Sequence, residues 1–297
     1  MEKLSLAQLD KRMDEMPMLP AVVANLLALN PDDDNYFEDV MTFAQQDPGF
    51  AMQIIKLSNS ASGLPVAPIV SLREAVVRIG TRNIASLITS LAVIRVFTPN
   101  TQAEKNLWAH AIRVAVTARV IACTTSLFSL NPDQAYLCGL LHDIGRFMLF
   151  REAKELMNET YSVNWQAPQQ LMTMEEDLYG VNHFELGGRI CHKWGIPKMI
   201  GQVVEYHHNH ELPKEITIQP KTLHLIKTVQ QADLFSIFLT LNPKQLEQDP
   251  EKFTRELEEL CTQACGPTAM VNAGELQALA NPIWFECEGI IKGMGID

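Results

Sequence analysis

Apolar residues recur along nearly the whole chain at spacings of three and four, the rhythm of helices that each bury one face. Tyr36–Gln46 carries Phe37, Val40, Met41 and Phe43 in that register. Asp47-Pro48 then sets a capping carboxylate before a proline suited to the first helical turn, opening a helix through Met52, Ile54, Ile55 and Leu57. Ser71-Leu72-Arg73-Glu74 reads as a capping box for a short helix that Gly80 closes. Residues 84–97 are apolar on more than one face, which predicts a buried helix, and residues 107–127 predict a long one with Ile112, Val116, Val120 and Ile121 as its buried stripe. Asn131-Pro132-Asp133 opens the helix that delivers His142-Asp143, and helices over 154–161 and 169–179 follow. After the break at Gly180-Val181-Asn182, His183 begins a helix with Leu186, Ile190 and Trp194 inward. Residues 198–208 and 222–241 predict two more, and Asp249-Pro250 starts a tail with Phe253, Leu257 and Leu260.

Sustained alternation, the mark of a half-buried strand, is missing. Residues 66–70 and 217–219 are the two β-like stretches, and both are too short to build a sheet. The expected fold class is therefore all-α. We expect residues 1–100 to form an N-terminal helical layer and residues 101–241 a bundle around His142-Asp143. Residues 242–297, broken by Gly266-Pro267, Gly274 and Gly293, are too few to bury a core alone and should pack on the bundle as a helical extension.

Composition narrows the function classes. Apolar residues are 47% and charged residues 20% of the chain, which excludes a disordered polymer. A net charge of -11 opposes non-specific nucleic-acid binding, which depends on Lys and Arg neutralising phosphates. No signal-peptide pattern opens the sequence and no run of about 18 apolar residues follows, so no membrane contact and a cytoplasmic location are expected. The six cysteines include no CxxC pair, in keeping with free thiols in a reducing compartment.

The chemistry sits in polar residues embedded in apolar helices. His142-Asp143 interrupts the run Leu-Leu-His-Asp-Ile-Gly-Arg-Phe-Met-Leu-Phe at 140–150. Burying an imidazole and a carboxylate there costs several kcal/mol unless something satisfies them. A divalent metal would do so; so would mutual hydrogen bonds at a helix end. His110, His183, His207, His208 and Asp233 lie likewise at helix ends or on apolar faces, and helices of a bundle can converge such groups on one core site. A first cation would then be held by His110, His142, Asp143 and Asp233, and a second by His183 with His207 or His208, Asp143 lying between. Fe, Mn, Ni and Zn all suit such donors, and water on such a centre could attack phosphorus. His192, Lys193 and His210 are expected to face solvent, and His224 lies on the face of its helix away from Asp233.

The order His110, His142-Asp143, Asp233 resembles the signature of the HD superfamily of metal-dependent phosphohydrolases, and His183 with His207-His208 resembles the added ligands of its HD-GYP branch. The N-terminal half is similar to the HDOD domain, through Leu19-Pro20, Gln46-Asp47-Pro48, Leu57-Ser58-Asn59-Ser60-Ala61, Gly63-Leu64-Pro65 and Ser71 to Gly80. Over residues 17–235 that resemblance implies an HD-superfamily-like helical bundle and a bacterial signalling output module with a protein partner. It also implies an alternative role as a phosphohydrolase or phosphodiesterase with a nucleotide or cyclic-nucleotide ligand. In that role Asp143 and Arg146 would be catalytic, Arg146 standing where HD enzymes often carry a phosphate-contacting lysine; a surface salt bridge is the other reading of Arg146. The chain departs from the HD-GYP pattern after the paired histidines, where it reads Asn209-His210-Glu211-Leu212-Pro213-Lys214, and it has Asn106 where some members carry a metal-binding Glu.

Overall fold

The computed structural model describes residues 6–16, 21–29, 33–60, 69–125, 130–152, 168–209, 217–241, 246, 249–265 and 269–296. Among these every regular element is a helix and no strand forms. The first six are α1 (Leu6–Asp14), α2 (Ala21–Ala28), α3 (Tyr36–Gln46), α4 (Pro48–Ser60), α5 (Leu72–Ile79) and α6 (Thr81–Ile94). The central set comprises α7 (Gln102–Thr124), α8 (Pro132–Leu141), α9 (Ile144–Glu152), α10 (Pro168–Tyr179), α11 (His183–Lys193), α12 (Lys198–Tyr206) and α13 (Pro220–Leu241). α14 (Pro250–Cys265) and α15 (Ala273–Met294) complete the chain.

The caps explain where these helices begin. Asp47 accepts the Gly49 N–H at 2.7 Å, two positions into α4. Asn131 accepts from both Asp133 and Gln134 at 2.9 and 3.0 Å, with Pro132 leading α8 as expected. α7 begins at Gln102, earlier than periodicity predicts, because Thr101 and Glu104 close a reciprocal capping box there. Gly80, at φ 93°, lets the backbone leave α5 and enter α6 at once. Every residue of α6 from Ile84 to Val93 is buried. Residues 217–219 form no strand, while 66–68 and the helix expected over 154–161 lie outside the described residues.

The helix expected to carry His142-Asp143 does not run through them. α8 stops at Leu141, the pair forms a turn, and α9 begins at Ile144. The His142 ring reaches back to the Gly139 carbonyl at 2.8 Å, and Arg146 N–H bonds the Asp143 carbonyl at 2.9 Å, one residue short of the α-helical step. α12 ends the same way, at Tyr206, leaving His207 and His208 in the turn beyond it.

α7 is the hub. It packs most extensively on α8, then on α13 and α15. Its length and apolarity would satisfy a membrane span, but most of it is buried inside the bundle. Arg119 on α7 donates to Asn83 (2.8 Å) and Ser86 (3.3 Å) of α6 and pairs with Glu286 of α15, so one buried guanidinium ties three segments. α15 also meets α4, where the Leu57 side chain fills the space beside Gly293.

Glycines set the closest approaches around the site. A Cβ on Gly139 would stand 2.7 Å from the Ala115 Cα of α7. On Gly145 it would stand 1.9 Å from the carbonyl oxygen of His183, the first residue of α11. Gly145→Ala should therefore cost about 2–3 kcal/mol in urea unfolding despite the better helix propensity of alanine. Gly188→Ala, where the nearest atom is Glu205 Cβ at 3.4 Å, should be neutral or stabilise by up to about 1 kcal/mol. Equal midpoints for the two variants would contradict the close-approach argument.

Candidate metal centre

Five segments deliver seven metal-type side chains to one place. His110 comes from α7, His142 and Asp143 from the α8–α9 turn, and His183 from the first residue of α11. His207 and His208 come from the end of α12, and Asp233 from the middle of α13. Six of the seven are buried, Asp143 to 2% exposure, and His208 is half-buried. Their ligand atoms fall into two groups, His110, His142 and Asp233 in one and Asp143, His183, His207 and His208 in the other. Within each group all lie within 4.8 Å of one another.

Asp143 connects the groups. Its Oδ2 lies 3.5 Å from His142 Nε2 and 3.9 Å from His110 Nε2, while Oδ1 lies 3.4 Å from His183 Nε2 and 3.9 Å from His207 Nε2. His110 Nε2 is also 3.1 Å from Asp233 Oδ1. Each of these four imidazoles uses Nδ1 outward. His142 and His207 bond the carbonyls of Gly139 (2.8 Å) and Val204 (2.7 Å), His110 meets the Ser236 hydroxyl at 3.1 Å, and His183 meets the Glu175 carboxylate at 2.6 Å. A carbonyl only accepts, so His142 and His207 carry their proton on Nδ1 and turn an Nε2 lone pair inward. That is how metal-ligating histidines are oriented by the groups behind them.

The electrostatics agree. Burial, then the facing histidines, pushes His207 down to about 3 and His208 well below the usual imidazole range, so both are neutral. Burial also lowers His142. Burial would raise Asp143 and Asp233. For Asp143 it is outweighed by His142, Arg146, His183 and His110, and for Asp233 chiefly by the His110 hydrogen bond, so both stay ionised. His183 moves upward: burial lowers it, but the Glu175 carboxylate prevails. Among the described residues the buried Nε2 atoms of His183 and His207 have no hydrogen-bond partner, which is costly in a dry core. Inward lone pairs, ionised carboxylates and orphaned nitrogens fit divalent cations, and the donor set of N and O without thiolate suits Fe, Mn, Ni or Zn.

All seven sequence-predicted ligands are thus brought together. Arg146 is beside them, 2% exposed with Nη1 3.4 Å from Asp143 Oδ2, which overturns the surface-salt-bridge reading. His192 is exposed, Lys193 pairs with Asp14 at 2.9 Å, and His224 joins neither group. His210 lies outside the described residues. Asn106 accepts from Gln102 at 3.0 Å and is in neither group. Sequence reasoning missed Glu175 and Ser236. Glu175 hides in the polar run Glu175-Glu176-Asp177, yet it falls four residues after Leu171 and four before Tyr179, both buried, so helical spacing marked it as inward.

Comparison with known proteins places this geometry. The HDOD domain family matches residues 16–210, more than half of the chain. The chain belongs to the HDOD family. Asp233 lies beyond the matched HDOD segment and enters the site through the fold. An uncharacterised protein of Treponema pallidum (strain Nichols) is 27% identical over 203 residues, 68% of this chain but 39% of the relative, so the chain spans about two fifths of that relative's length. A candidate phosphohydrolase of Shewanella amazonensis SB2B shares the fold with TM-score 0.69 at 19% identity, over 96% of this chain and 97% of that one. An HDOD domain protein of unknown function from Geobacter sulfurreducens does so with TM-score 0.65 at 22% identity, over 95% of each chain. At such identities the solved structures speak for the fold.

The ring geometry is open to measurement. Long-range proton–nitrogen correlation spectra of the metal-free protein at pH 7 should show His142 and His207 as neutral Nδ1–H tautomers. Protonation at Nε2 in either would contradict the inward lone pairs.

Proposed function

We propose that this HDOD protein is a signal-transduction module whose bundle holds two divalent transition-metal ions. His110, His142 and Asp233 would take one and His183, His207 and His208 the other, with Asp143 shared between them. The observation that carries this reading is the Asp143 carboxylate, which directs one oxygen to each histidine group. A regulatory output implies a protein partner, for which the N-terminal helices are the surface outside the metal-bearing bundle.

A second reading, hydrolysis of a phosphate ester of a nucleotide or cyclic nucleotide, is favoured by that same sharing. Two cations on one carboxylate supply, when bound, Lewis-acid activation of water and charge neutralisation at a phosphoryl oxygen. In this reading Asp143 spaces the two positions, Arg146 balances its charge from 3.4 Å, and the outward Nδ1 bonds keep the imidazoles from turning. The path from the paired histidines into Asn209, with no Gly-Tyr-Pro sequence after it, gives no support to cyclic-dinucleotide recognition.

Elemental analysis of protein purified without chelator tests the proposal. The wild type should carry one to two equivalents of a transition metal, and Asp143→Ala should weaken binding at least about 100-fold, leaving its basic partners without their carboxylate. If the wild type stays as metal-free as Asp143→Ala after reconstitution with Mn, Fe, Ni and Zn, both readings of the centre fall. Metal-loaded protein that leaves phosphomonoesters, phosphodiesters and cyclic nucleotides intact would keep the regulatory reading and remove the hydrolytic one.

A further inference from the structure

We propose that Glu175 makes the His183, His207 and His208 group the tighter and first filled of the two cation positions, acting as a positioning residue through His183. The inference rests on the two-cation reading above and deepens it. Glu175 lies four residues before the end of α10 and is fully buried, as is His183. One oxygen, Oε2, accepts from His183 twice, from Nδ1 at 2.6 Å and from the backbone N–H at 2.9 Å. Two bonds from one atom fix both the ring plane and the residue's place at the head of α11. Gly180, at φ 71°, reverses the chain between the two helices and so sets residues eight apart face to face.

A cap alone does not explain this carboxylate. α11 already has its N-cap in Asn182, whose side chain accepts the Glu185 N–H at 3.0 Å. The nearby Glu176 is spent on Asn182 Nδ2 at 2.8 Å. What distinguishes Glu175 is its partner. The rings of His142 and His207 rest on neutral carbonyls and that of His110 on a hydroxyl, whereas His183 rests on an ionisable carboxylate. A carboxylate behind an imidazole raises the basicity of the nitrogen facing the metal and locks its direction.

The donor sets point the same way from a separate observation. The His183 group offers three imidazoles and Asp143 Oδ1, whereas the other offers two imidazoles, the Asp233 carboxylate and Asp143 Oδ2. Imidazole suits Zn and its borderline neighbours better than carboxylate does, so the three-imidazole position is the stronger for such a cation. Arg146 Nη1, 3.4 Å from Asp143 Oδ2, acts on Asp143 and on His183 and so does not divide the two positions.

Titration of the metal-free full chain with Zn(II) and Co(II), by calorimetry and by the visible Co(II) spectrum, tests this. The wild type should bind in two steps. Glu175→Gln keeps an acceptor oxygen and the size of the side chain, so the metal-free thermal midpoint should hold. Its first step should weaken about 10–100-fold with a changed Co(II) spectrum, while the second step stays within about threefold. Asp233→Ala should remove the weaker step and leave the tighter one. The proposal is overturned if Glu175→Gln binds both equivalents as the wild type does, if it lowers both steps equally together with the midpoint, or if Asp233→Ala removes the tighter step. A wild type that binds no cation refutes the two-cation reading and this inference with it, whereas two wild-type steps untouched by Glu175→Gln refute only the role of Glu175.

Discussion

An ionised carboxylate in the middle of a helical core is the constraint to which the rest of this structure answers. Asp143 is almost entirely removed from water, and an unpaired charge there would cost several kcal/mol. The fold breaks a helix at His142-Asp143 and gathers one guanidinium and four imidazoles around the carboxylate; Arg146 offsets part of the charge, and the inward lone pairs of His142 and His207 leave the remainder for a cation to balance. Those partners come from helices that must approach one another closely. The absent side chains at Gly139 and Gly145 let α8 close on α7 and α9 on α11. Electrostatics demands the convergence, and sterics permits it.

Much of this was legible in the sequence. Helical period, Asn131-Pro132 and Asp47-Pro48 marked most helices, and metal-type residues on apolar faces marked the side chains that meet around Asp143. The rest turned on contacts that no local pattern carries. The break after Leu141 follows from a ring-to-carbonyl bond within the turn, where the surrounding apolar residues suit a continuous helix equally well. Arg146 lies in the same apolar run, but its burial becomes visible only once Asp143 is seen beside it. Glu175 matters because α10 folds back on α11; its spacing from Leu171 and Tyr179 marks it as inward, but nothing local marks His183 as its partner. Ser236 looked like an ordinary helix residue until α13 was set against α7.

The HDOD segment is not self-contained in this chain. Its matched span ends at residue 210, yet α13 contributes Asp233, and α15 contributes Glu286 to the buried Arg119, which also binds Asn83 and Ser86 of α6. The bundle around Asp143, the N-terminal helices and the C-terminal helix therefore share one continuous core. α7 carries both Arg119, which meets those outer helices, and His110 of the centre.

The outward bonds of the histidines carry a temporal consequence. His142 and His207 each bond a carbonyl three residues earlier in the chain, so their rings can be aimed as soon as the local turn closes. His183 and His110 depend on Glu175 and Ser236, eight and 126 residues away in sequence. Two of the five imidazoles are thus preset by short-range structure, and two more wait for helices to dock. The two preset rings belong to turns far apart in the chain and to different groups, so aiming them early does not bring them together; they meet only when α8 and α12 pack.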